Sequence, residues 1–171
     1  MANTNSSIIT GVADPTTMAN VGLSGGRMRV AADTFEIAAN PTAEDTLTLC
    51  RLPSGARIYS IQLFCDDMDT GGTELAIDLG LVETDGTGGD PDCLVDGATD
   101  LLTAAQTGGI EVRFDHTTFG VESINKQVFE LAGKTADDGK QMDLLLTFKV
   151  DANTFPGGGA SLSFLVTYVI D

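Results

Sequence analysis

Tryptophan is absent from this 171-residue chain, histidine occurs once, and only nine residues are Lys or Arg. Each scarcity removes a class of function. Sugar-binding modules commonly stack sugar C–H faces on exposed aromatic rings. Without Trp, that platform would have to come from Tyr59 and Tyr168, and strand periodicity puts both on inward faces. The one histidine, His116, sits beside Asp115 in an expected strand, VRFDHTTF, with no GxSxG nucleophile motif anywhere in the chain. It reads as a structural histidine, and the chain as a non-enzyme without a cofactor. A glycosidase pair is no better supported, because 25 acids put some carboxylates side by side by chance. Against those 25 acids the nine bases leave a net charge of −16. Too few cations remain to neutralise phosphates, so no nucleic-acid partner is expected. An anionic membrane surface repels such a chain. No run of 18 apolar residues is present, so no membrane-spanning helix is expected. The opening MANTNSSIITGVADPTT has neither Lys or Arg nor an apolar centre, which argues against a secretory signal. Cys50, Cys65 and Cys93 are odd in number and too far apart for a CxxC knuckle. They are expected to be reduced thiols in a protein made in a cytoplasm.

What the chain does have is alternation. In ARIYSIQLFC, residues Tyr59, Ile61, Leu63 and Cys65 fall on one face and Ser60 and Gln62 on the other. TELAIDLGLVE alternates Leu75, Ile77, Leu79 and Leu81 with Glu74, Ala76, Asp78 and Gly80, the pattern of a half-buried antiparallel strand. QMDLLLTFKVD points Met142, Leu144, Leu146, Phe148 and Val150 inward, and ASLSFLVTYVID does the same with Leu162, Phe164, Val166, Tyr168 and Ile170. EDTLTLCRL and MRVAADTFEIA are further strand candidates. LPSG at 52–55 is a turn. Two short helices are expected, at 99–109 and at 123–133. The second places Ile124, Val128 and Leu131 on one face. Seven or eight strands with no strand-helix-strand rhythm predict an all-β fold. It is an antiparallel β-sandwich of jelly-roll type over 27–171, with one or two short helices and an extended N-terminal arm, 1–26.

One stretch invites a metal. In FCDDMDTGG, Asp67, Asp69 and Gly72 match positions 1, 3 and 6 of an EF-hand loop, and Asp78 falls at position 12. Position 5 is Gly71, which offers no side-chain ligand, and a strand follows where the motif needs a helix. Asp and Gly are also what a tight connection between strands uses. The residues are therefore read as a turn and no metal is assigned. A β-type calcium loop at 66–72 or at DGTGGDPD, 85–92, stays open at this point.

The run LPSGARIYSIQLFCDDMDTGGTELAIDLGLVETDGTGGD resembles the opening of a β-sandwich domain common among structural proteins of tailed bacteriophages. VFELAGKTADDGKQMDLLLTF is similar to its continuation: a short helix, a Gly-Asp turn and a strand. The resemblance spans roughly residues 44–150 and is best matched by capsid decoration, or cement, proteins. It implies a structural protein on the outer capsid surface of a virion, synthesised in the host bacterial cytoplasm. It also implies the major capsid protein as partner and self-association, a homotrimer being expected from the local three-fold sites of such lattices. The alternatives are a carbohydrate-binding jelly-roll module displayed on the virion and a tail or neck component.

Charge placement adds to this reading. Residues 1–65 hold five acids and four bases, whereas 66–171 hold twenty acids and five bases. The near-neutral part contains Arg27, Arg29, Arg51 and Arg57, and an arm carrying Ile8, Ile9, Val12, Val21 and Leu23. Extended, that arm reaches up to roughly 85 Å at about 3.3 Å per residue. These nine residues are the expected interface, with the arginines pairing against carboxylates of a neighbour.

Overall fold

The computed structural model describes residues 27–72, 74–112 and 120–170. Ile8, Ile9, Val12, Val21, Leu23 and His116 lie outside the described residues. Wherever alternation is clear, strand forms. The elements are β1 (Arg27–Ile37), β2 (Thr46–Leu52), β3 (Arg57–Cys65), β4 (Ala76–Glu83), β5 (Gly89–Ala98) and β6 (Ile110–Glu111). A 3₁₀ turn (Val121–Ser123), one helical turn α1 (Val128–Leu131), β7 (Met142–Val150) and β8 (Ala160–Ile170) follow. All strand pairs are antiparallel, in two four-stranded sheets ordered β1-β8-β3-β6 and β2-β7-β4-β5. The chain changes sheet at every connection except β4 to β5. That strand order is the jelly roll, as the sequence predicts.

Between the sheets lies one core. Leu52, Ile58, Ile61, Leu63, Leu79, Leu81, Leu144, Leu146 and Phe148 are fully or almost fully buried. Each contributes roughly 1.5–3 kcal/mol relative to exposure. No helix among the described residues is long and apolar enough to cross a membrane.

The structure departs from the sequence reading in several places. Residues 99–109 form bends rather than a helix, because tertiary bonds take over their backbone: Leu102 O accepts from Met68 N and Gln106 N donates to Cys65 O. Leu101 and Leu102 are both buried side by side, which a single helical face cannot achieve. The helix expected over 123–133 shrinks to α1. It is capped by a Gln127–Glu130 capping box, and its first N–H groups donate to Ala56 O and Ser54 O of the β2–β3 turn. Ile124 caps the preceding 3₁₀ turn instead.

The third departure is in β3, where Tyr59 points outward and Ile58 inward. A bulge between Ile58 and Ser60 shifts the phase against β8. At the far end of β7, Val150 is likewise exposed rather than inward. Its partner strand is irregular there, with a register shift between Ala76 and Ile77.

The fourth departure is that β4 is buried on both faces, not half-buried. On β5, the four residues Pro91–Leu94 oppose the single residue Gly80 of β4. This wide bulge folds over the face that the sequence assigns to solvent.

Candidate functional site

The aspartate-glycine loop after β3 resolves into a set of backbone clamps. Asp69 is buried. Its Oδ2 accepts from Glu74 N at 2.9 Å and Leu75 N at 3.1 Å, and its Oδ1 from Thr154 N at 3.0 Å. Burial alone would lift its pKa, but the backbone N–H groups of Thr154, Leu75 and Glu74 outweigh it and hold the carboxyl below its usual value. Asp67 Oδ1 accepts from Asp69 N, which closes the local turn. Asp66 Oδ2 accepts from Ser161 N and Ser161 Oγ, 95 residues away. The three carboxylates that suggested a cation site are aimed at N–H and O–H donors. They tie the β3–β4 connection to the β7–β8 connection and to the start of β8.

A second acidic group forms where sequence separation hides it. Asp78 on β4 and Asp92 and Asp96 on β5 bring carboxylate oxygens within 4.8 Å of one another. Asp78 Oδ1 accepts from Gly97 N at 2.8 Å, and Lys149 Nζ lies 3.1 Å from Asp78 Oδ2. A hydrogen bond with Asp90 and burial together raise the Asp92 pKa. The Lys149 ammonium group and the Gly97 N–H already engage Asp78 in this trio. Neither acidic group is therefore expected to depend on a cation. Treatment with excess chelator is expected to leave the melting temperature unchanged within about 1 °C, since a bound metal would have to stabilise the native state. A fall of several degrees that calcium reverses is the outcome against this.

Glu83 ends β4 and is buried between two lysines. Lys134 Nζ lies 2.5 Å from Oε1, and Lys140 Nζ bonds Oε2. Hydrogen bonds from Lys134 and Lys140 hold the Glu83 carboxyl below its usual pKa. Lys134 also meets Asp138 and Lys140 meets Asp85. The network locks the segment after α1 onto β4 and offers no free nucleophile.

The three cysteines are free. Burial pushes the Cys50 and Cys65 thiols up to about 11 and Cys93 up to about 12. Cys65 is the deepest, its Sγ donating to Leu101 O and Ala104 O. Alkylation of the native protein near pH 8 is expected to be slow at all three and slowest at Cys65. Intact-mass measurement after denaturing alkylation without reductant is expected to count three adducts. Only one adduct, from a Cys50–Cys65 disulfide, contradicts this.

The expected interface arginines divide. Arg51 on β2 makes a bidentate pair with Asp143, 2.7 Å from Nε to Oδ1 and 3.1 Å from Nη2 to Oδ2. Arg57 on β3 donates from Nε to Asn125 O. Arg27 and Arg29 stand exposed on β1, with no ion-pair partner among the described residues. The sequence reading missed the apolar residues around them. Among the described residues, five large hydrophobics are exposed, and four gather near this end of the first sheet: Met28, Val30, Tyr59 and Val121. The register puts Met28, Val169 and Arg57 in one row across β1, β8 and β3. The turn bearing Val121 abuts Arg57 through Asn125. Only the β3 bulge turns Tyr59 outward, so no periodicity signal could have found it.

An open groove of about 340 Å³ runs between the end of β1 and the start of β2, past Ile37, Asn40, Leu47 and Phe148. Two of its polar side chains are held internally, Asn40 by both backbone groups of Ala152 and Asp45 by Thr42.

With this geometry, the fold can be compared with known ones. No family model matches the chain, and no curated protein matches it in sequence. Two solved structures share the fold. A chain of the cyanophage Pam1 capsid asymmetric unit superposes with a TM-score of 0.58 at 20% identity, covering 86% of this chain and 87% of that one. A chain from the capsid of Ralstonia phage GP4 superposes at 0.56 and 21% identity, covering 84% and 85%.

Proposed function

We propose that this chain is a non-enzymatic structural protein of a bacteriophage virion that sits on the outside of the head as a cement or decoration protein. The observation that carries the reading is the eight-stranded jelly roll, shared over more than four-fifths of the chain with chains of two phage capsid structures. The net charge of −16 supports it, because an anionic domain facing solvent keeps particles apart and has no use for nucleic acid. A protein that bridges neighbouring capsid subunits adds its binding free energy to that of the lattice, and needs only surface to do so. The partners are the major capsid protein and sister copies, as a homotrimer at local three-fold sites. Residues 1–26 lie along a neighbour, with Ile8, Ile9, Val12, Val21 and Leu23 as apolar contacts. Arg27 and Arg29 face carboxylates. Arg51 and Arg57, engaged within the chain, contribute less.

Quantitative mass spectrometry of purified virions tests location: hundreds of copies per particle support a head protein, and a handful point to the tail or neck. Deleting residues 2–24 is expected to leave a cooperative melt and to abolish attachment to heads stripped of the protein. Undiminished attachment refutes the role given to the arm. Exposure of Tyr59 favours one second reading, a carbohydrate-binding module on the virion. A glycan-array signal lost in Tyr59→Ala would establish it.

A further inference from the structure

Among the described residues, the first strand has an unpaired edge. Among the described residues β1 pairs only with β8, in an unbroken register from Arg27↔Ile170 to Ile37↔Ala160. An exposed edge strand of this kind is ordinarily blunted by proline, a bulge, shortness or inward charge. β1 has eleven residues, no proline and no bulge, and the inward charges it does carry, Arg27, Arg29 and Asp33, are of both signs, so an opposing copy can neutralise them. Its sequence, RMRVAADTFEI, puts both bases in the first half, both acids in the second and two alanines between them. Such a pattern is self-complementary when two copies run antiparallel.

Geometry selects the register. Residues directly opposite in an antiparallel pair share a face. Met28, Val30, Ala32 and Thr34 share the outer face of the first sheet, so an even-numbered residue must oppose an even-numbered one. The pairing is then centred on a residue. Centred on Ala31, it sets Arg29 opposite Asp33 twice, Val30 opposite Ala32 twice and Arg27 opposite Phe35 twice. Centred on Ala32, it sets Arg29 opposite Phe35 and Asp33 opposite Ala31, and both charges lose their partners. Centred on Val30, it sets Arg27 opposite Asp33 but leaves Arg29 opposite Ala31 and pairs a shorter stretch, 27–33 rather than 27–35. Asp33 Oδ1 accepts from Thr34 N, which leaves Oδ2 for an incoming guanidinium.

We propose that β1 is a self-association edge, on which a second copy of this chain lays its own β1 antiparallel, centred on Ala31, with Arg29 of each copy facing Asp33 of the other. The two first sheets become one continuous sheet across a two-fold axis. The contact is small and the two copies repel at long range through their net charges, so the dimer is weak in dilute solution. Salt near 0.15 M, with a Debye length of about 8 Å, screens that repulsion more than it weakens the close pairs. On a capsid the same contact joins neighbouring molecules. That consequence rests on the function proposed above, whereas the contact itself does not and is measured without heads.

Cysteine trapping of the full chain tests the register. Across an antiparallel pair, Cα atoms directly opposite lie about 4.5–5.5 Å apart, within disulfide reach. Ala31→Cys under mild oxidant is expected to form a covalent dimer at least ten times faster than Ala32→Cys, whose copies are offset by two residues along the strand. The parent protein with its three native cysteines supplies the background. Equal rates, a faster Ala32→Cys dimer, or no dimer above background overturns the proposal, whether the edge is then covered by residues 1–26 or by nothing. Charge exchange is the second arm. In the Ala31→Cys background, Arg29→Asp and Asp33→Arg each put like charges opposite and are expected to slow trapping about ten-fold. Mixed together they restore opposite charges at both sites, and a mixed disulfide is expected at the parental rate. Fast trapping by either variant alone, or a slow mixture, overturns the pairing. A normal melt for each variant shows that folding is intact.

Discussion

Asp69→Ala is expected to lower the unfolding free energy by about 3 kcal/mol, because three backbone donors lose their acceptor, one of them on fully buried Leu75. Asp69→Asn keeps the shape but presents an amide to some of those donors, and is expected to lose about half as much. Asp67→Ala, which removes only one bond within the turn, is expected to cost under about 1 kcal/mol. Urea denaturation of the three variants checks the order. If Asp69→Ala behaves like Asp67→Ala, the loop is not the clamp described above. The same geometry sets the acid response. Asp69 is held below its usual pKa despite burial, by its backbone N–H donors, and Asp66 by the Ser161 N–H and hydroxyl. A carboxyl whose folded pKa is depressed contributes stability above its unfolded value, near 4, and loses it as pH falls through the folded value. Stability is therefore expected to hold from neutral pH down to about pH 5 and to fall below about pH 4. The fall is expected to be shallower in Asp69→Asn.

Gly80→Ala is expected to cost more than about 3 kcal/mol and to sharply reduce soluble yield. A Cβ at residue 80 would sit 2.1 Å from the carbonyl carbon of Pro91 and 2.3 Å from Asp90 O. Those are backbone atoms of the β5 bulge and have no rotamer by which to retreat. Either the bulge lifts off, exposing fully buried Leu94 and Val95, or β4 shifts in a core that has no slack. Gly86→Ala is the matched control. Gly86 has a positive φ of 72° but nothing within 4 Å of a new Cβ, so the cost there is backbone strain alone, about 1 kcal/mol. Hydrogen exchange is expected to show lost protection across β4 and β5 in Gly80→Ala. Equal stability of the two variants would mean that the bulge does not press on β4.

The strands most legible in the sequence were those with one wet and one dry face. In β8, Leu162, Phe164 and Val166 bury as alternation requires, and so do Leu144, Leu146 and Phe148 in β7. β5 was illegible: GDPDCLVDGA holds a proline and three aspartates, residues that sequence reasoning assigns to turns. It is a strand because it lies at the edge of its sheet, where a missing N–H is tolerated and carboxylates can reach Lys149 and the Gly97 N–H. The outward turn of Tyr59 was equally hidden, since one bulge reverses the phase of every residue before it.

The candidate site was half legible. The acids of 66–72 and the bases of β1 are plain in the sequence, but a carboxylate looks the same whether it will hold an ion or a backbone N–H. For Asp69 the deciding donor, Thr154 N, lies 85 residues away, and for Asp66 it lies 95 away. By itself the sequence determined that the chain alternates, is acidic and must bury one face of most strands, because those properties reside in single residues and their nearest neighbours. Only the tertiary structure decided which strands are edges, which carboxylates are already satisfied and which apolar residues stay exposed. Each of these depends on what a distant segment places opposite, and local periodicity carries no record of that.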